Sequence, residues 1–353
     1  MDNRKTIRTL ADLTQAGLVL GDDMDAIAEV AERYAISITP TIQDRIGPAP
    51  DDPVARQFVP SARELLVTTE ERGDPIGDEA FSPVRGITHR YRDRVLLTPL
   101  HTCPVYCRFC FRREAVGPGH GVLPEAALAV ALNYVRDHRE IWEVILSGGD
   151  PLMLTPARLR RIFSALDAID HVRVIRVHTR IPVVWPDRIG PDILAALTGA
   201  TPVWIVLHCN HPQEIGPEAS AALRRLVDHG FPVLSQTVLL KGVNDNAAAL
   251  ERLFRALVEH RVKPYYLHHA DLANGTSDFR TSVEDGQRLV RELRGDVSGL
   301  CQPTYVLDIP GGHGKVPLAA GNAERCADGS YLVRDRTGAM HRYPPTAAEG
   351  AVR

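Results

Sequence analysis

Short apolar segments alternate with amphipathic ones from residue 94 onward. The apolar segments RVLLTPL, EVILSGG, VRVIRVHT, VWIVLHC, VLSQTVLL and PYYLHH predict six strands, and stretches such as PARLRRIFSALDAI carry apolar residues at helical spacing. The last five strand centres lie 30, 31, 30 and 31 residues apart, at Ile145, Ile175, Val206, Gln236 and Leu267. A strand, a helix and two loops need about that length. The pattern therefore predicts sequential βα units in a parallel sheet or barrel.

Six such units predict an incomplete TIM-like (β/α)6 barrel as the fold class. The first strand, near Leu97, precedes Ile145 by 48 residues, which leaves room for a long loop between them. Residues 1–90 are predicted to form a helical and irregular N-terminal extension, and residues 91–300 the barrel core. Residues 301–353 contain a further apolar run, TYVLDIPGG, and are predicted to form a lysine-bearing loop and a short C-terminal tail.

Polar residues stand where each predicted strand ends. They are Cys103, the turn SGGDP, His178 and Arg180, His208 and Asn210, Gln236, and finally His268, His269 and Asp271. The C-terminal ends of parallel barrel strands meet at one face, and the active sites of such barrels lie there. Six polar strand ends in register predict an enzyme with its site at that face.

Composition narrows the class of protein. The chain has 353 residues, 44% of them apolar, and a formal net charge of −3, which gives no basic face for nucleic acid. The N-terminal segment MDNRKTIRTLADL has no apolar core of a signal peptide, and no apolar run approaches the roughly 20 residues of a membrane span. Six cysteines without a secretory signal fit a reducing compartment. We expect a cytoplasmic protein without membrane or nucleic-acid partners.

Three of the six cysteines lie within eight residues. Cys103, Cys107 and Cys110 form a C-x3-C-x2-C pattern in the loop after the first strand. Three thiolates on a [4Fe–4S] cluster leave one iron with an open coordination position, as a catalytic metal needs. Two alternatives remain at this point: a structural zinc site completed by His101, and plain buried thiols.

A second glycine-rich segment, VLDIPGGHGKVPL, contains Lys315. It is not a P-loop, because Ile309 and Val316 occupy positions that the P-loop pattern reserves for glycine and for serine or threonine. One interpretation is a surface turn, since Pro-Gly-Gly is a strong turn signal. The other is a lysine on a flexible loop that bonds to a carbonyl cofactor.

The cysteine pattern, with Phe109 before its third cysteine and SGGDP one strand later, resembles the radical S-adenosylmethionine superfamily. Within it the chain is similar to the lysine 2,3-aminomutases, which share D-x-P-G-G-x-G-K. The likeness covers residues 81–317, including RVLLTPLHTCPVYCRFCFRR, ILSGGDPL, RIPVVWPDRI, LHCNHPQEI, QTVLLKGVNDN, PYYLHHADLANG and LRGDVSGLCQPTYVLDIPGGHGK. It implies an isomerase that uses a [4Fe–4S] cluster, S-adenosylmethionine and pyridoxal 5′-phosphate.

The resemblance also implies roles for individual residues. Cys103, Cys107 and Cys110 would bind the cluster, Ser147, Gly148, Gly149 and Asp150 the methionine end of S-adenosylmethionine, and Lys315 pyridoxal phosphate covalently. Arg94 would contact the cofactor phosphate, while His208, Gln236 and His268 would lie near the cofactors. Arg112 would bind the substrate carboxylate, and Asp271 and Asp308 the distal ammonium of lysine.

The aspartate pair favours L-lysine as the substrate and β-lysine as the product. Two carboxylates in a partly dry site repel each other unless a cation lies between them, which disfavours glutamate. Free arginine stays open as an alternative substrate, because its guanidinium can also pair with two carboxylates. A role in the modification of a translation elongation factor stays open as well. An electron donor such as flavodoxin or ferredoxin is implied, and a homo-oligomer is left open.

Two departures from the family pattern are visible. The family's tyrosine near the pyridine ring is replaced by His268. The family's C-terminal zinc-binding cysteines are not found, because the tail contains only Cys326. We therefore predict no structural zinc, and we interpret Cys209 and Cys301 as buried thiols.

Overall fold

The strands of the main sheet follow one another in chain order. The computed structural model describes residues 4–19, 24–117, 121–318, 321, 323–328, 330–334 and 338–343. Strand β1 (Ile87–Tyr91) is antiparallel to β2, and β2 to β8 are mutually parallel before β9 turns back along β8. The remaining bounds are β2 (Arg94–Leu100), β3 (Glu143–Gly148), β4 (Val174–Thr179), β5 (Val203–His208), β6 (Val233–Val238), β7 (Val262–His268), β8 (Thr304–Ile309) and β9 (Gly314–Pro317).

The helices lie before the sheet and between its strands. Their bounds are α1 (Leu10–Gln15), α2 (Met24–Arg33), α3 (Pro40–Gln43), α4 (Ala55–Phe58), α5 (Glu125–Asp137), α6 (Pro156–Asp167), α7 (Ile181–Val184), α8 (Pro191–Leu197), α9 (Pro217–Asp228), α10 (Ala247–Glu259) and α11 (Val283–Asp296). In α10, Asn246 accepts a hydrogen bond from the backbone N of Ala249 at 2.9 Å and so caps the first turn. Leu250, Leu253 and Leu257 form its buried stripe, as helical spacing requires.

The predicted incomplete barrel is confirmed, and all six predicted strands are present as β2 to β7. The sheet is larger than the prediction of six strands, because three more strands join it. Strand β1 pairs with β2, the run predicted to begin the C-terminal segment forms β8 beside β7, and β9 pairs with β8. The division of the chain at residues 90 and 300 stays a prediction.

Apolar and polar side chains alternate along the strands, so that one face of the sheet is apolar and the other lines a polar interior. In β4, Ile175 and Val177 are fully buried in the hydrophobic core, while Arg176 and His178 line the central cavity. Successive side chains of a strand point to opposite faces, so the same strand serves both layers. The barrel interior is therefore a polar cavity with a hydrophobic shell around it.

One segment of the N-terminal extension, residues 64–78, contacts the loop after β2, the loop after β7 and the turn between β8 and β9; we call it the strap. Glu64 lies between the guanidinium groups of Arg108 and Arg113, with Arg108 Nη2 at 2.6 Å from Glu64 Oε2. The side chains of all three are buried. The strap thus begins with a buried charge cluster on the cysteine loop.

Further along, the strap binds the loop after β7 and the turn between β8 and β9. Glu71 accepts a hydrogen bond from the backbone N of Gly275 at 2.9 Å and pairs with Arg280 at 3.1 Å. A side chain on Gly77 would collide with the backbone of Gly311 and Gly312. The glycines on both sides allow this close approach.

A separate three-stranded antiparallel sheet follows the barrel. It consists of β10 (Ala323–Arg325), β11 (Tyr331–Arg334) and β12 (Met340–Tyr343). The sequence analysis predicted only a tail here. Within the described ranges, no helix is long and apolar enough to cross a membrane.

Removal of the Glu64 charge should destabilise the fold. We expect Glu64→Gln to lower the free energy of unfolding by about 3 kcal/mol, because two buried guanidinium groups then lack a compensating charge. Glu29→Gln is the matched control, since Glu29 pairs with Arg33 on an exposed helix face and should cost less than about 0.5 kcal/mol. Urea unfolding measures both. Equal losses would contradict the assignment of Glu64 as a buried anchor.

Candidate active site

A cavity of about 780 Å³ runs through the barrel interior. All fifteen site residues predicted from the sequence line it: Arg94, Cys103, Cys107, Cys110, Arg112, Ser147, Gly148, Gly149, Asp150, His208, Gln236, His268, Asp271, Asp308 and Lys315. They come from seven strands and from the loops that follow β2, β3 and β7. The structure therefore brings all fifteen residues into one cavity, although Arg94 and Lys315 are far apart in sequence. Their individual roles stay predictions.

The cysteine loop, residues 101–113, is fixed at its base by the charge cluster with Glu64. Burial raises the pKa of all three thiols, that of Cys110 to about 11. Arg180 opposes this at Cys107, because its Nη1 lies 2.8 Å from the sulfur and favours the thiolate. Arg180 is in turn held by Glu214 at 2.7 Å and by Gln57 at 2.6 Å. A buried cation therefore faces the thiols from the end of β4.

The SGGDP turn packs directly on the start of the cysteine loop. Gly149 N donates to the backbone O of Leu100 at 2.9 Å, and Asp150 N donates to the O of Thr102 at 3.0 Å. A side chain on Gly149 would come within 2.6 Å of Thr102 N, and Gly148 has a φ of 104°. The family resemblance implies that both glycines lie against S-adenosylmethionine, and that role stays a prediction. In the structure they admit the neighbouring backbone, so they position the cysteine loop.

Asp150 joins that turn to the end of β4. Its carboxylate accepts hydrogen bonds from Thr179 Oγ1 at 2.8 Å and from the backbone N of Arg180 at 2.7 Å. Burial raises the pKa of Asp150 to about 6 despite these bonds. Its oxygens are used by the protein, so a cofactor contact would come from the turn's backbone or from Ser147.

Lys315 lies in the hairpin of β8 and β9, directly opposite Asp308 in the strand register. Its Nζ forms a close salt bridge with Asp308 Oδ2 and lies 3.3 Å from Nδ1 of His268. The backbone N of Lys315 donates to the hydroxyl of Tyr91 at 2.8 Å, which connects β9 to β1 across the opening of the barrel. Lys315 therefore lies in the cavity wall, whereas Gly311 and His313 of the turn before it are exposed. The segment contains both a surface turn and a lysine that faces the cavity.

The pKa values of the two predicted substrate aspartates, Asp271 and Asp308, are shifted in opposite directions. Burial alone would raise the pKa of Asp308, but His268 and the Lys315 ammonium hold it well below its usual range. Burial and the neighbouring charge of Asp308 raise the pKa of Asp271 to about 7. In the ligand-free protein, the Lys315 ammonium forms a salt bridge with Asp308, and Asp271 stays protonated up to about neutral pH.

Arg112 is held by two polar partners at the cavity wall. Its Nη2 lies 3.0 Å from Asp78 Oδ2, and its Nη1 donates to Ser147 Oγ at 3.3 Å. The other oxygen of Asp78 accepts from Arg90 at 2.7 Å. Two guanidinium groups thus share one carboxylate, which leaves a positive charge for an anionic ligand.

Three histidines present unpartnered nitrogens to the cavity. The Nε2 atoms of His178, His208 and His268 are buried without a hydrogen-bond partner, and all three residues line the cavity. Burial lowers the pKa of each, so the rings are neutral. His208 also stacks on Phe109, with ring centroids 5.6 Å apart, and Gln236 pairs with it in the sheet register. Buried unpaired nitrogens are costly, so this cavity is built to be filled by a polar ligand.

Comparison with known proteins decides the family. Residues 97–254 match the model of the radical SAM superfamily. The chain is 37% identical to an L-lysine 2,3-aminomutase of Clostridium subterminale, over 96% of this chain and 82% of that one. It is 38% identical to a putative L-lysine 2,3-aminomutase of Aquifex aeolicus, over 96% and 92%. A glutamate 2,3-aminomutase of Clostridioides difficile is 36% identical over 84% of this chain and 70% of that one.

This chain belongs to the lysine 2,3-aminomutase family. It is therefore an isomerase of the radical SAM superfamily, whose cofactors are a [4Fe–4S] cluster and S-adenosylmethionine. As an aminomutase it acts on a small amino acid.

The residues of this aminomutase fit the cluster better than a single zinc ion. Three thiols on one short loop face the cavity, with the Arg180 guanidinium beside one of them. Across the described part of the chain, no three His, Cys, Asp or Glu side chains are grouped closely enough to hold one metal ion. This holds for Cys103, Cys107 and Cys110 as well, so it is the radical SAM match over residues 97–254 that favours the cluster over the zinc alternative with His101.

The side chain of Arg94 is half-buried, with 34% of its surface exposed. It begins β2, at the end of the barrel opposite the cysteines, and its guanidinium stacks on the Tyr91 ring at 3.8 Å. Asp93 accepts a hydrogen bond from it at 2.7 Å. The aminomutase cavity thus extends from the cysteine loop to a cation at the opposite end.

Sequence reasoning missed several residues of the aminomutase cavity. Asp78, Arg90 and Tyr91 belong to the strap and β1, and Tyr266 lies with its ring centroid 5.5 Å from Lys315 Nζ. The alternating segment ITHRYRDR carried the signal for a strand with polar side chains on one face. Asp78 has no such signal, because its role depends on a contact with a distant arginine.

Asp271→Asn should stabilise the ligand-free aminomutase at higher pH. The raised pKa of Asp271 means that the folded protein keeps a proton that the unfolded chain has lost, so its stability falls as the pH rises from about 4 to about 7. We expect the advantage of the variant in unfolding free energy to grow by about 2 kcal/mol between pH 5 and pH 8.

Urea titrations of the ligand-free proteins at both pH values provide the measurement. Asp137→Asn on the exposed end of α5 is the control and should show no such trend. An advantage that is equal at pH 5 and pH 8 would contradict the raised pKa.

Proposed function

We propose that this aminomutase moves the α-amino group of L-lysine to Cβ, producing β-lysine, with pyridoxal phosphate bound by Lys315. The observation that carries the proposal is the charge arrangement of the cavity. Arg112 has positive charge to spare, because it shares the Asp78 carboxylate with Arg90. Asp308 forms a salt bridge with the Lys315 ammonium, whose charge also acts on the nearby Asp271.

Lysine has the complementary charges. Its α-carboxylate would pair with Arg112 in the planar, two-bond geometry that a guanidinium favours. Once the Lys315 nitrogen is bonded to a cofactor, its salt bridge with Asp308 is lost. The distal ammonium of the substrate lysine would then pair with Asp308 instead. Glutamate would instead bring a second carboxylate against two acids.

The site also accommodates pyridoxal phosphate. Lys315 lies in the cavity wall, an aromatic ring and three neutral histidines surround the space beside it, and Arg94 offers a cation for a phosphate. The unpartnered histidine nitrogens are the structural sign that a polar group belongs there. In this family of reactions the cluster and S-adenosylmethionine supply a radical, and the pyridine ring delocalises the unpaired electron during migration.

The protein contributes positioning. Arg112 at one end of the substrate and the aspartates at the other would fix the Cα–Cβ bond relative to the cysteine loop. Ile76 and Asp78 of the strap line the cavity, where they would help to exclude water from the reactive species. His178 and His208 stay neutral there, so they donate or accept single hydrogen bonds and add no charge. An electron donor of the flavodoxin or ferredoxin type would be needed to reduce the cluster, and a homo-oligomer stays a proposal.

Substrate choice is testable by turnover. The reconstituted enzyme, with both organic cofactors and a reductant under anaerobic conditions, is offered 13C-labelled lysine, arginine or glutamate in separate reactions followed by NMR. We expect a β-amino product from lysine alone, and none from the Lys315→Ala variant. A β-amino product from arginine or glutamate would overturn the substrate assignment and keep the reaction class. Deoxyadenosine without any β-amino product would overturn both.

The proposed pairing of Arg112 with the substrate carboxylate predicts that loss of Arg112 raises KM. We expect Arg112→Gln to raise KM for lysine by roughly 10- to 100-fold, because a charge-assisted pair of hydrogen bonds is lost. Arg112→Lys keeps the charge without the planar fork and should recover part of the loss. Arg160→Gln, on the exposed face of α6, is the control and should change neither kcat nor KM. An unchanged KM in Arg112→Gln would remove Arg112 from substrate binding.

A further inference from the structure

Tyr91 joins the two edges of the main sheet. Among the described residues, β1 and β9 are the first and last strands of that sheet. An edge strand has backbone N–H groups without a ladder partner on its outer side. The backbone N of Lys315 in β9 instead donates to the hydroxyl of Tyr91 in β1 at 2.8 Å. A side chain of one edge therefore supplies the hydrogen-bond acceptor for the other edge, at the predicted cofactor lysine itself.

The ring of Tyr91 contacts a second predicted cofactor residue. Tyr91 and Arg94 face each other across the hairpin of β1 and β2. The Arg94 guanidinium lies 3.8 Å from the centre of the Tyr91 ring, within the range of a cation–π contact. One side chain thus contacts both residues to which the family resemblance assigns the two ends of pyridoxal phosphate. Lys315 would bond to the aldehyde, and Arg94 would bind the phosphate.

The hairpin that carries Lys315 depends on contacts outside itself for its position. Gly311, Gly312 and Gly314 precede the lysine, and all three have a positive φ. Glycine has more backbone freedom than any other residue, so the segment does not fix its own conformation. A side chain on Gly314 would lie 3.2 Å from the Tyr91 hydroxyl oxygen. Tyrosine has only two rotatable side-chain bonds, so its hydroxyl is a rigid anchor for the lysine backbone.

We propose that Tyr91 is a positioning residue that sets the distance between the two cofactor-binding groups, Lys315 and Arg94. This inference rests on the proposed function. The aldehyde and the phosphate arm of pyridoxal phosphate are attached to neighbouring ring carbons, so their separation varies little. A lysine and an arginine held at a matching separation bind both groups without rearrangement. A mobile lysine hairpin would have to be ordered by the cofactor, which lowers the apparent affinity.

Deletion of the hydroxyl tests the contact with Lys315. We expect Tyr91→Phe to weaken the binding of pyridoxal phosphate, and of pyridoxal, which lacks the phosphate, by the same factor of about three to ten. The factor is the same because the lysine bonds to both compounds. The readout is the dissociation constant of each compound, from the visible absorbance of the bound form, without S-adenosylmethionine or turnover. Unchanged constants would overturn the proposal. A loss confined to pyridoxal phosphate would also overturn it, because the hydroxyl would then act on the phosphate.

Deletion of the ring tests the contact with Arg94. We expect Tyr91→Leu to bind pyridoxal phosphate at least about threefold more weakly than Tyr91→Phe does, because the arginine has lost its aromatic partner. The two variants should bind pyridoxal equally, since pyridoxal has no phosphate to meet Arg94. Equal affinities of the two variants for pyridoxal phosphate would contradict the role of the ring.

The matched control is Tyr305→Phe, which deletes the same atom in the neighbouring strand β8. The Tyr305 hydroxyl is hydrogen-bonded to Nδ1 of His269 at 2.8 Å, and neither residue lines the cavity. Both dissociation constants should therefore stay at the values of the unmodified enzyme. A loss equal to that of Tyr91→Phe would overturn the proposal. If the unmodified enzyme binds neither compound, the proposed function fails. If it binds both and Tyr91→Phe binds them equally well, only this inference fails.

Amide exchange tests the anchor in the absence of any cofactor. The chain has four lysines, Lys5, Lys241, Lys263 and Lys315, so 15N-lysine labelling gives four backbone signals, and Lys315→Ala identifies the one of interest. We expect the Lys315 amide to exchange at least about tenfold faster in Tyr91→Phe than in the unmodified enzyme, because its acceptor is lost. The amide of Lys263, in the parallel pair of β6 and β7, should be unchanged. Equal exchange rates of Lys315 in the two proteins would overturn the proposal.

Discussion

A single carboxylate, that of Glu64, joins the two parts of the chain from which the site is built. Its contacts with Arg108 and Arg113 connect the strap to the cysteine loop with almost no exposure to water. The strap then reaches the loop after β7 through Glu71 and the lysine hairpin through Gly77. Because one continuous segment contacts all three, the positions of the three predicted cluster cysteines, Asp271 and Lys315 depend on one another.

The second constraint is electrostatic. A barrel interior is usually filled by branched apolar side chains, but here it holds charged groups that partner one another in the ligand-free protein. Asp78 accepts a hydrogen bond from Arg112, and Lys315 forms a salt bridge with Asp308. In our account lysine replaces both of these internal partners with its own carboxylate and ammonium. The same cavity can thus stay folded without substrate and be complementary to it.

Sequence periodicity predicted β2 to β7 well, because each strand is a short apolar run and the last five recur every 30 or 31 residues. Motif resemblance predicted residues such as Cys103 and Lys315, whose chemistry depends on residue type and local spacing. It could not predict Asp78 or Tyr91, whose contacts with Arg112 and Lys315 arise from chain segments far apart in sequence. It also could not predict that the backbone of the cysteine loop leaves no room for a side chain on Gly149, because that contact joins two different loops.

The most direct test of this account is an anaerobic crystal structure of the enzyme with its cluster, S-adenosylmethionine, pyridoxal phosphate and L-lysine. The account predicts density continuous from Lys315 or from the substrate nitrogen to the cofactor, with the lysine carboxylate on Arg112. The distal ammonium should lie between Asp271 and Asp308. Lysine bound in the reverse direction, or a distal ammonium away from both aspartates, would contradict it.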